Sequence, residues 1–424
     1  MKLKVFKFGG ASVKDAAAVR NMVSIIEKQK NQHLMIVLSA MGKTTNGLEK
    51  LLLSAREKPF VYEASMEELK TFHFQIVEEL FGEDKNIKTR LHSLFVALEA
   101  DLIQNRSLAY DQYYDLIVPY GELLSTTIVA AYLEQSGLPV LLKDARKLVM
   151  TDSNFRAANV NWKLTQHCIE SLKAEFETHS LILTQGFIGS NPQQQTTTLG
   201  REGSDFTAAI FAYCLDAQEV VIWKDVSGLL NADPKRFSQT VKLPSISYSE
   251  AIELAFYGAT IIHPKTIKPL QNKQIKLKIQ SFLDAEIPAS IISNNNENDT
   301  LFPSFIVKDN QLLLSISPRD FSFMDEARLS FIFGTFQQLR IHTNLLQTSA
   351  LSLSVCIDDN ERSIQGILEA FSSDYFIKYN HNLRLLTVRH YTDAMIPQLV
   401  SGQVVLLEQR SRTTLQMVME YGQG

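Results

Sequence analysis

The stretch Leu3-Lys4-Val5-Phe6-Lys7-Phe8-Gly9-Gly10-Ala11-Ser12-Val13 runs a strand-like segment straight into two glycines. Beyond it, Val19, Met22, Val23 and Ile26 recur at helical spacing. Leu34–Leu38 reads as a second strand and empties into the polar loop Ser39–Asn46. Leu48, Leu51, Leu52 and Ala55 then mark another helix. Strand, turn, helix, strand is the opening of an α/β domain with a largely parallel sheet.

Residues 60–118 are mostly helical in pattern, and strand-like runs return at Pro139–Leu142, Leu181–Gln185, Glu219–Trp223, Ile275–Ser281 and Ala289–Ser293. One helix follows Ser204-Asp205. Another opens at Ser247-Tyr248-Ser249-Glu250, a capping-box pattern, and stops near Gly258. The polar run Ser293–Asp299 and Pro303 place a boundary between a domain over 1–300 and a region over 305–424. In that region Gln311–Ser317, Met324–Gln338, Leu339–Asn344, Leu351–Ile357 and Arg362–Phe371 read strand, helix, strand, strand, helix. That is the order of a small ferredoxin-like α+β module. It is complete over 311–380. A second, shortened module follows, with Leu383–His390, Gln403–Glu420 and only a brief Asp393–Val400 segment between them.

Composition narrows the function classes. Of 424 residues, 42 are Lys or Arg and 46 are Asp or Glu, a formal net charge of −4 that argues against a nucleic-acid partner. Cys168, Cys214 and Cys356 lie far apart, with no CxxC pair, and read as free thiols of a reducing compartment. The basic N-terminus lacks the apolar core of a signal peptide, and no apolar stretch reaches the ~20 residues of a bilayer span. A cytoplasmic protein without membrane attachment is expected.

Four polar loops carry the chemistry. Gly9-Gly10, between a strand and a helix, lets backbone amides approach an anion, and Lys7 just before them can neutralise a phosphate; a plain tight turn has the same signature. Ser39–Asn46 contains Gly42-Lys43-Thr44. The first glycine of a P-loop would fall at Val37, so that motif is excluded and a hydroxyl-rich substrate loop or a capped helix start remains. In Gly200-Arg201-Glu202-Gly203-Ser204-Asp205 the arginine can offer its planar fork to a carboxylate, and Asp205 sits in the first turn of a helix. Trp223-Lys224-Asp225 and Asn231-Ala232-Asp233-Pro234-Lys235 mix basic and acidic groups after a strand.

Taken in order, KFGGASV (7–13), VLSAMGKTTN (37–46), YGE (120–122), GREGSDFTA (200–208), WKDVSGLLNADPK (223–235) and YGATIIHP (257–264) resemble the aspartate kinases, members of the amino-acid kinase fold. The resemblance covers residues 1 to about 300, and the tail from about 305 resembles the ACT regulatory modules of such enzymes. It implies a three-layer αβα catalytic sandwich that moves the γ-phosphoryl group of ATP to the β-carboxylate of L-aspartate, with Mg²⁺ travelling on the nucleotide. Lys7 and Asp205 take the catalytic roles. Ser39, Thr45, Glu122, Arg201 and Ser204 bind aspartate, with Arg201 on its α-carboxylate and Glu122 on its ammonium group. Lys7, Gly9, Gly10, Ser12, Lys224, Asp225, Asp233 and Lys235 hold ATP. No dedicated protein metal site is implied, and the ACT region implies a homodimer with lysine or threonine as effector.

The sequence departs from the family pattern in four places. Ala11 stands for a threonine, Leu230 for a tyrosine and Thr260 for a lysine, while Lys224 stands where many members have threonine. Lys224 is expected to supply the charge that Thr260 lacks. His263 reads as a structural turn residue, because an ionised carboxylate acceptor has no proton to remove. A kinase of the same fold acting on glutamate or a nucleotide, and a catalytically dead amino-acid sensor, are the competing readings. Glu122 with Arg201 disfavours the first, and Lys7, Arg201 and Asp205 disfavour the second. The length leaves no room for a fused dehydrogenase, so a monofunctional enzyme is expected.

Overall fold

The computed structural model describes residues 2–29, 31–57, 62–259 and 262–421. The chain divides into two compact units: Met1–Leu229, Lys242–Ile252 and Ile261–Asp299 form the first, and Leu230–Val241, Glu253–Thr260 and Thr300–Gly424 the second. Thr260, set against Lys224 above, lies outside the described residues.

In chain order, β1 (Leu3–Phe8), α1 (Ala16–Glu27), β2 (His33–Leu38), α2 (Thr44–Glu57), α3 (Tyr62–Phe81), α4 (Lys85–Gln104), α5 (Tyr110–Ile117) and α6 (Tyr120–Gln135) come first. Next are β3 (Val140–Lys143), α7 (Trp162–Glu170), α8 (Leu172–Glu175), β4 (Leu181–Gln185), β5 (Ile188–Ser190), β6 (Thr196–Thr198), α9 (Gly203–Leu215) and β7 (Glu219–Lys224). Then follow β8 (Leu229–Leu230), β9 (Lys242–Leu243), β10 (Ser245–Ser247), α10 (Tyr248–Phe256), α11 (Pro264–Asn272), β11 (Lys276–Ser281) and β12 (Ser290–Ser293). The Ser247 hydroxyl caps α10 by accepting from the Glu250 amide at 3.0 Å.

Eight of these strands form one sheet in the order β10-β12-β11-β7-β1-β2-β4-β3. Neighbours run parallel except β11 and β12. β1 lies between β2 and β7, so the strand order reverses there, and the crevice beyond the carboxyl ends of these strands is where such sheets take ligands. Register sets Lys7 level with Val37 and Ile222, and Phe8 level with Leu38 and Trp223. Alternation along β1 sends Phe6 and Phe8 into an apolar cluster with residues of α1–α6, where Phe8 stacks on Trp223 at 5.8 Å. Lys7 turns to the opposite face and meets α9. The segment Tyr110–Gln135 has the length and apolar composition of a membrane span, but 72% of its most apolar window is buried inside the protein. Those residues, α5 and α6, serve the core.

The second unit is built on a six-stranded sheet, β14-β15-β13-β16-β18-β17, antiparallel throughout. Its strands are β13 (Ser304–Pro318), β14 (Thr343–Thr348), β15 (Leu353–Asp358), β16 (Tyr375–Arg389), β17 (Val405–Arg410) and β18 (Thr414–Glu420). α12 (Glu326–Gln338) and α13 (Glu361–Phe371) cover one end, burying Ile332, Phe336, Ile367 and Phe371 against Leu312, Leu314 and Ile316. At the other end α14 (Ile396–Val400) has five residues and packs beside Leu386, Val388 and Met417. β13 and β16 each have 15 residues and pair along both ends, so the expected complete module and shortened module share two strands. The segment from Leu230 joins this unit through Asn231, whose carbonyl accepts from the Phe305 amide at 2.7 Å, and through Phe237 against Phe305.

Candidate active site

A cavity of about 510 Å³ opens in the first unit at the carboxyl ends of β1, β2 and β7. Its lining includes Lys7, Ser39, Thr45, Glu122, Arg201, Ser204, Asp205 and Lys224, which the sequence reading singled out, together with Tyr114, Arg156, Phe187 and Glu202, which it did not.

Lys7 and Asp205 form its floor. The Lys7 ammonium lies 2.6 Å from Asp205 Oδ1 and that of Lys224 4.0 Å from Oδ2, so one buried carboxylate holds two cations side by side. Asp205 is placed by the start of α9, where Glu202 adopts a left-handed conformation (φ 54°) as N-cap. Close approach fixes that start. A Cβ on Gly186 would come within 2.6 Å of Ser204 and one on Gly203 within 2.6 Å of Phe187, while the Thr207 hydroxyl accepts from the Phe187 amide at 2.9 Å. The Gly203 amide donates to the Gly200 carbonyl and the Asp205 and Phe206 amides donate to that of Glu202, so the start of α9 offers the cavity the positive end of its helix dipole, a field suited to phosphate.

Glu122, in the first turn of α6, is 2% exposed. Its Oε1 accepts from the Ala40 amide at 3.2 Å, while Oε2 has no hydrogen-bond partner among the described residues. Burial pushes its carboxyl up to about 8, against the lowering effects of the Ala40 amide and Lys7. A buried acid with one oxygen unused is a receptor for a cation that brings its own hydrogen-bond donors. At neutral pH such a group is mostly protonated, and a bound ammonium must expel that proton. The KM for an amino-acid substrate is therefore expected to fall as pH rises from about 6.5, by up to about tenfold per unit, and to level off above about 8. Glu122→Gln should flatten this slope. Initial rates between pH 6.5 and 8.5 test this, and a flat wild-type profile would refute it.

Arg156 has φ 65°, and its guanidinium lies over Tyr114 at 4.5 Å and Tyr110 at 5.2 Å, with Glu49 at 3.6 Å and Asp111 at 3.5 Å. Behind it sits Asp115, fully buried. Its Oδ2 accepts from the Arg156 amide at 3.0 Å and the Thr198 amide at 2.8 Å, and its Oδ1 from the Thr198 hydroxyl at 2.7 Å. Burial raises this carboxyl to about 6, opposed by those three bonds. One carboxylate thus ties the Arg156 loop to the strand leading into Gly200-Arg201. Gly200 itself (φ 79°) approaches so closely that a Cβ there would lie 3.1 Å from the Arg156 carbonyl. Asp115 is a positioning residue. Asp115→Asn is expected to raise the KM of the amino-acid substrate about fivefold to thirtyfold, from loss of a charge-assisted bond worth ~1–2 kcal/mol. The KM for nucleotide should stay within about twofold of wild type on the same argument. Equal changes in both would mean that Asp115 merely supports the fold.

The remaining expected residues are not among those lining the cavity, although a Cβ on Gly9 would sit 3.4 Å from Lys7 Nζ. Gly9, Gly10, Ser12 and Asp225 do not line the cavity. Ser12 is buried and donates to the Trp223 carbonyl at 3.4 Å. A Cβ on Gly10 would sit 2.7 Å from the Gly42 carbonyl and 2.9 Å from that of Ala40, so its lack of a side chain is spent on loop-to-loop packing. Asp225 is exposed just beyond β7. Asp233 and Lys235 belong to the second unit, on an exposed turn where the Lys235 amide donates to Asp233 Oδ1. His263 caps α11: its Nδ1 accepts from the Lys265 amide and its own amide donates to Glu202 Oε2 at 2.7 Å. Burial lowers its pKa, which suits a neutral capping imidazole. Among the described residues no group of three or more His, Cys, Asp or Glu is placed to hold a metal ion.

Comparison with known proteins gives this geometry a family. The model of the amino acid kinase family matches residues 2–281. Lysine-sensitive aspartokinase 3 of Escherichia coli K12 is 30% identical over 368 residues, covering 86% of this chain and 80% of that protein. The bifunctional chloroplastic aspartokinase/homoserine dehydrogenase of Daucus carota is 27% identical over 384 residues, and there the chain spans only 42% of its relative's length. Among solved structures, E. coli aspartokinase III in complex with aspartate and ADP (R-state) matches with a TM-score of 0.84 at 25% identity, over 99% of this chain and 96% of that one. The same enzyme with lysine and aspartate (T-state) matches with a TM-score of 0.80 over the same shares. The chain belongs to the amino acid kinase family and groups within it with the aspartokinases.

Proposed function

We propose that this chain is an aspartate kinase that transfers the γ-phosphoryl group of ATP to the β-carboxylate of L-aspartate, giving 4-phospho-L-aspartate and ADP. The observation that carries the reading is the unpaired, buried Glu122 oxygen in the same cavity as Arg201 and the Lys7–Asp205–Lys224 cluster. A free amino acid brings an ammonium group for Glu122 and an α-carboxylate for Arg201, which leaves its side-chain carboxylate for the phosphate. The aspartate and ADP held by E. coli aspartokinase III support the same assignment.

No base is required, because the acceptor is already an anion. Transfer of this kind proceeds by positioning and charge neutralisation. Lys7 and Lys224 neutralise the transferring phosphate. Asp205 holds those ammonium groups in place, and the N-terminus of α9 adds its field. Mg²⁺ bound with ATP would supply further charge neutralisation, and Asp205 is the carboxylate of the cation cluster that would help to hold it.

The second unit supports an allosteric homodimer, with the exposed edge strand β14 as the pairing element and lysine, the effector bound in the E. coli T-state, ahead of threonine. A coupled assay of ADP release with a panel of amino acids tests both levels. Turnover with aspartate alone, depressed by millimolar lysine in a chain that sizes as a dimer, is expected. Turnover with glutamate or a nucleoside monophosphate in place of aspartate would overturn the substrate assignment.

A further inference from the structure

α9 contributes to the walls of two cavities. Gly203, Ser204 and Asp205 line the catalytic one, and the next residue, Phe206, lines another of about 450 Å³ together with Tyr213. Trp162, the first residue of α7, completes an aromatic trio, meeting Tyr213 edge-on at 5.3 Å and Phe206 at 6.3 Å. Trp162 is 37% exposed and is part of the lining of this cavity. Across the cavity, α11 presents Lys265 and Lys268, three residues apart and so on one helical face. Neither has an ion-pair partner among the described residues. Lys273, at the end of the same helix, is paired with Asp216 at 2.5 Å and lies over the Tyr213 ring at 4.3 Å.

Three aromatic walls with two unneutralised ammonium groups at the rim are complementary to one ligand chemistry, a planar aromatic ring carrying a carboxylate. We infer that this cavity is a second ligand site of the first unit, taking a small aromatic carboxylate. Its ring would lie among Trp162, Phe206 and Tyr213, with its anionic group between Lys265 and Lys268. The volume falls in the range of small-molecule sites, ~300–1,000 Å³. An occupant would touch the residue directly after Asp205 and directly before Thr207, whose hydroxyl anchors the Phe187 amide at 2.9 Å. Occupancy therefore bears on the same helical turn that orders the catalytic cations. The inference stands independently of which substrate the catalytic cavity takes.

Calorimetry on the intact chain with phenylacetate, phenylacetamide and acetate tests it by binding alone. Phenylacetate should bind with a Kd of ~0.1–1 mM, a modest affinity set by one ring and one exposed charge. The neutral amide and the ringless acid should each bind about fivefold to tenfold more weakly or worse. Lys265→Ala/Lys268→Ala, on exposed positions, should lose about the same factor for phenylacetate and nothing for the amide. Trp162→Ala should lose binding of both ring compounds, with circular dichroism checking its fold. Equal binding of acid and amide, unchanged phenylacetate binding in the lysine double variant, or no heat at about 10 mM would overturn the site. A change of oligomeric state in Trp162→Ala would also overturn it, by making the cavity a subunit contact.

Discussion

Lys7→Met is expected to lower kcat by about a hundredfold or more, the scale on which a lost charge-stabilising donor acts at a developing anion. The structure adds a second consequence. Lys7 is 9% exposed and 2.6 Å from Asp205, itself 3% exposed, so the substitution leaves a buried carboxylate with only the more distant Lys224 beside it. Breaking such a pair from one side costs about 3–5 kcal/mol, and thermal unfolding of the variant should move down accordingly. The two effects separate in the double variant Lys7→Met/Asp205→Asn. Stability should return towards wild type, because no charge is stranded, while turnover stays low. Recovery of activity in the double variant, or near-normal turnover in Lys7→Met, would remove Lys7 from phosphate handling.

Arg201→Lys is expected to raise the KM for aspartate by about tenfold to a hundredfold, the equivalent of one charge-assisted bidentate bond of ~1.5–3 kcal/mol. The charge is kept and the planar fork is lost. Arg201 is exposed, so folding should be little changed. Its aim depends on backbone, since Gly200 and Glu202 on either side both take positive φ, and Asp115 fastens the strand that leads into them. The KM for ATP should hold steady, because Arg201 is assigned to the amino acid alone. Parallel increases for both substrates would show that the residue shapes the whole cleft.

Much of this site is legible in the sequence. The strand that ends in Lys7-Phe8-Gly9-Gly10 and the Gly200–Asp205 loop carry their chemistry in local sequence, and the parallel sheet brings them to one edge. Arg156 and Asp115 were not legible. Arg156 follows Thr151-Asp152-Ser153-Asn154-Phe155 with no glycine to flag its positive φ. Asp115 sits in an amphipathic-looking helix, where a carboxylate reads as solvent-facing until Thr198, far along the chain, supplies its donors. Gly10 illustrates a converse difficulty. A glycine pair that admits a phosphate and one that admits a neighbouring loop look alike in sequence, and at Gly10 the neighbour is the Ala40–Gly42 backbone. In the second unit, β13 and β16 read as shorter pieces because each is interrupted locally. Asp309-Asn310 breaks the ladder of β13 with a register shift and a positive φ, and the exposed residues 378–382 of β16 have the polar character of a loop.

Those two long strands make the second unit's sheet mechanically indivisible. One apolar cluster, around Phe336 and Phe371, and the other, around Val388 and Met417, hang on the same pair of backbones. Neither can melt without peeling the strands that carry its neighbour, so the two ends share one cooperative unfolding event and one set of protected amides. A small end with a five-residue helix, too slight to persist alone, borrows its persistence from the larger.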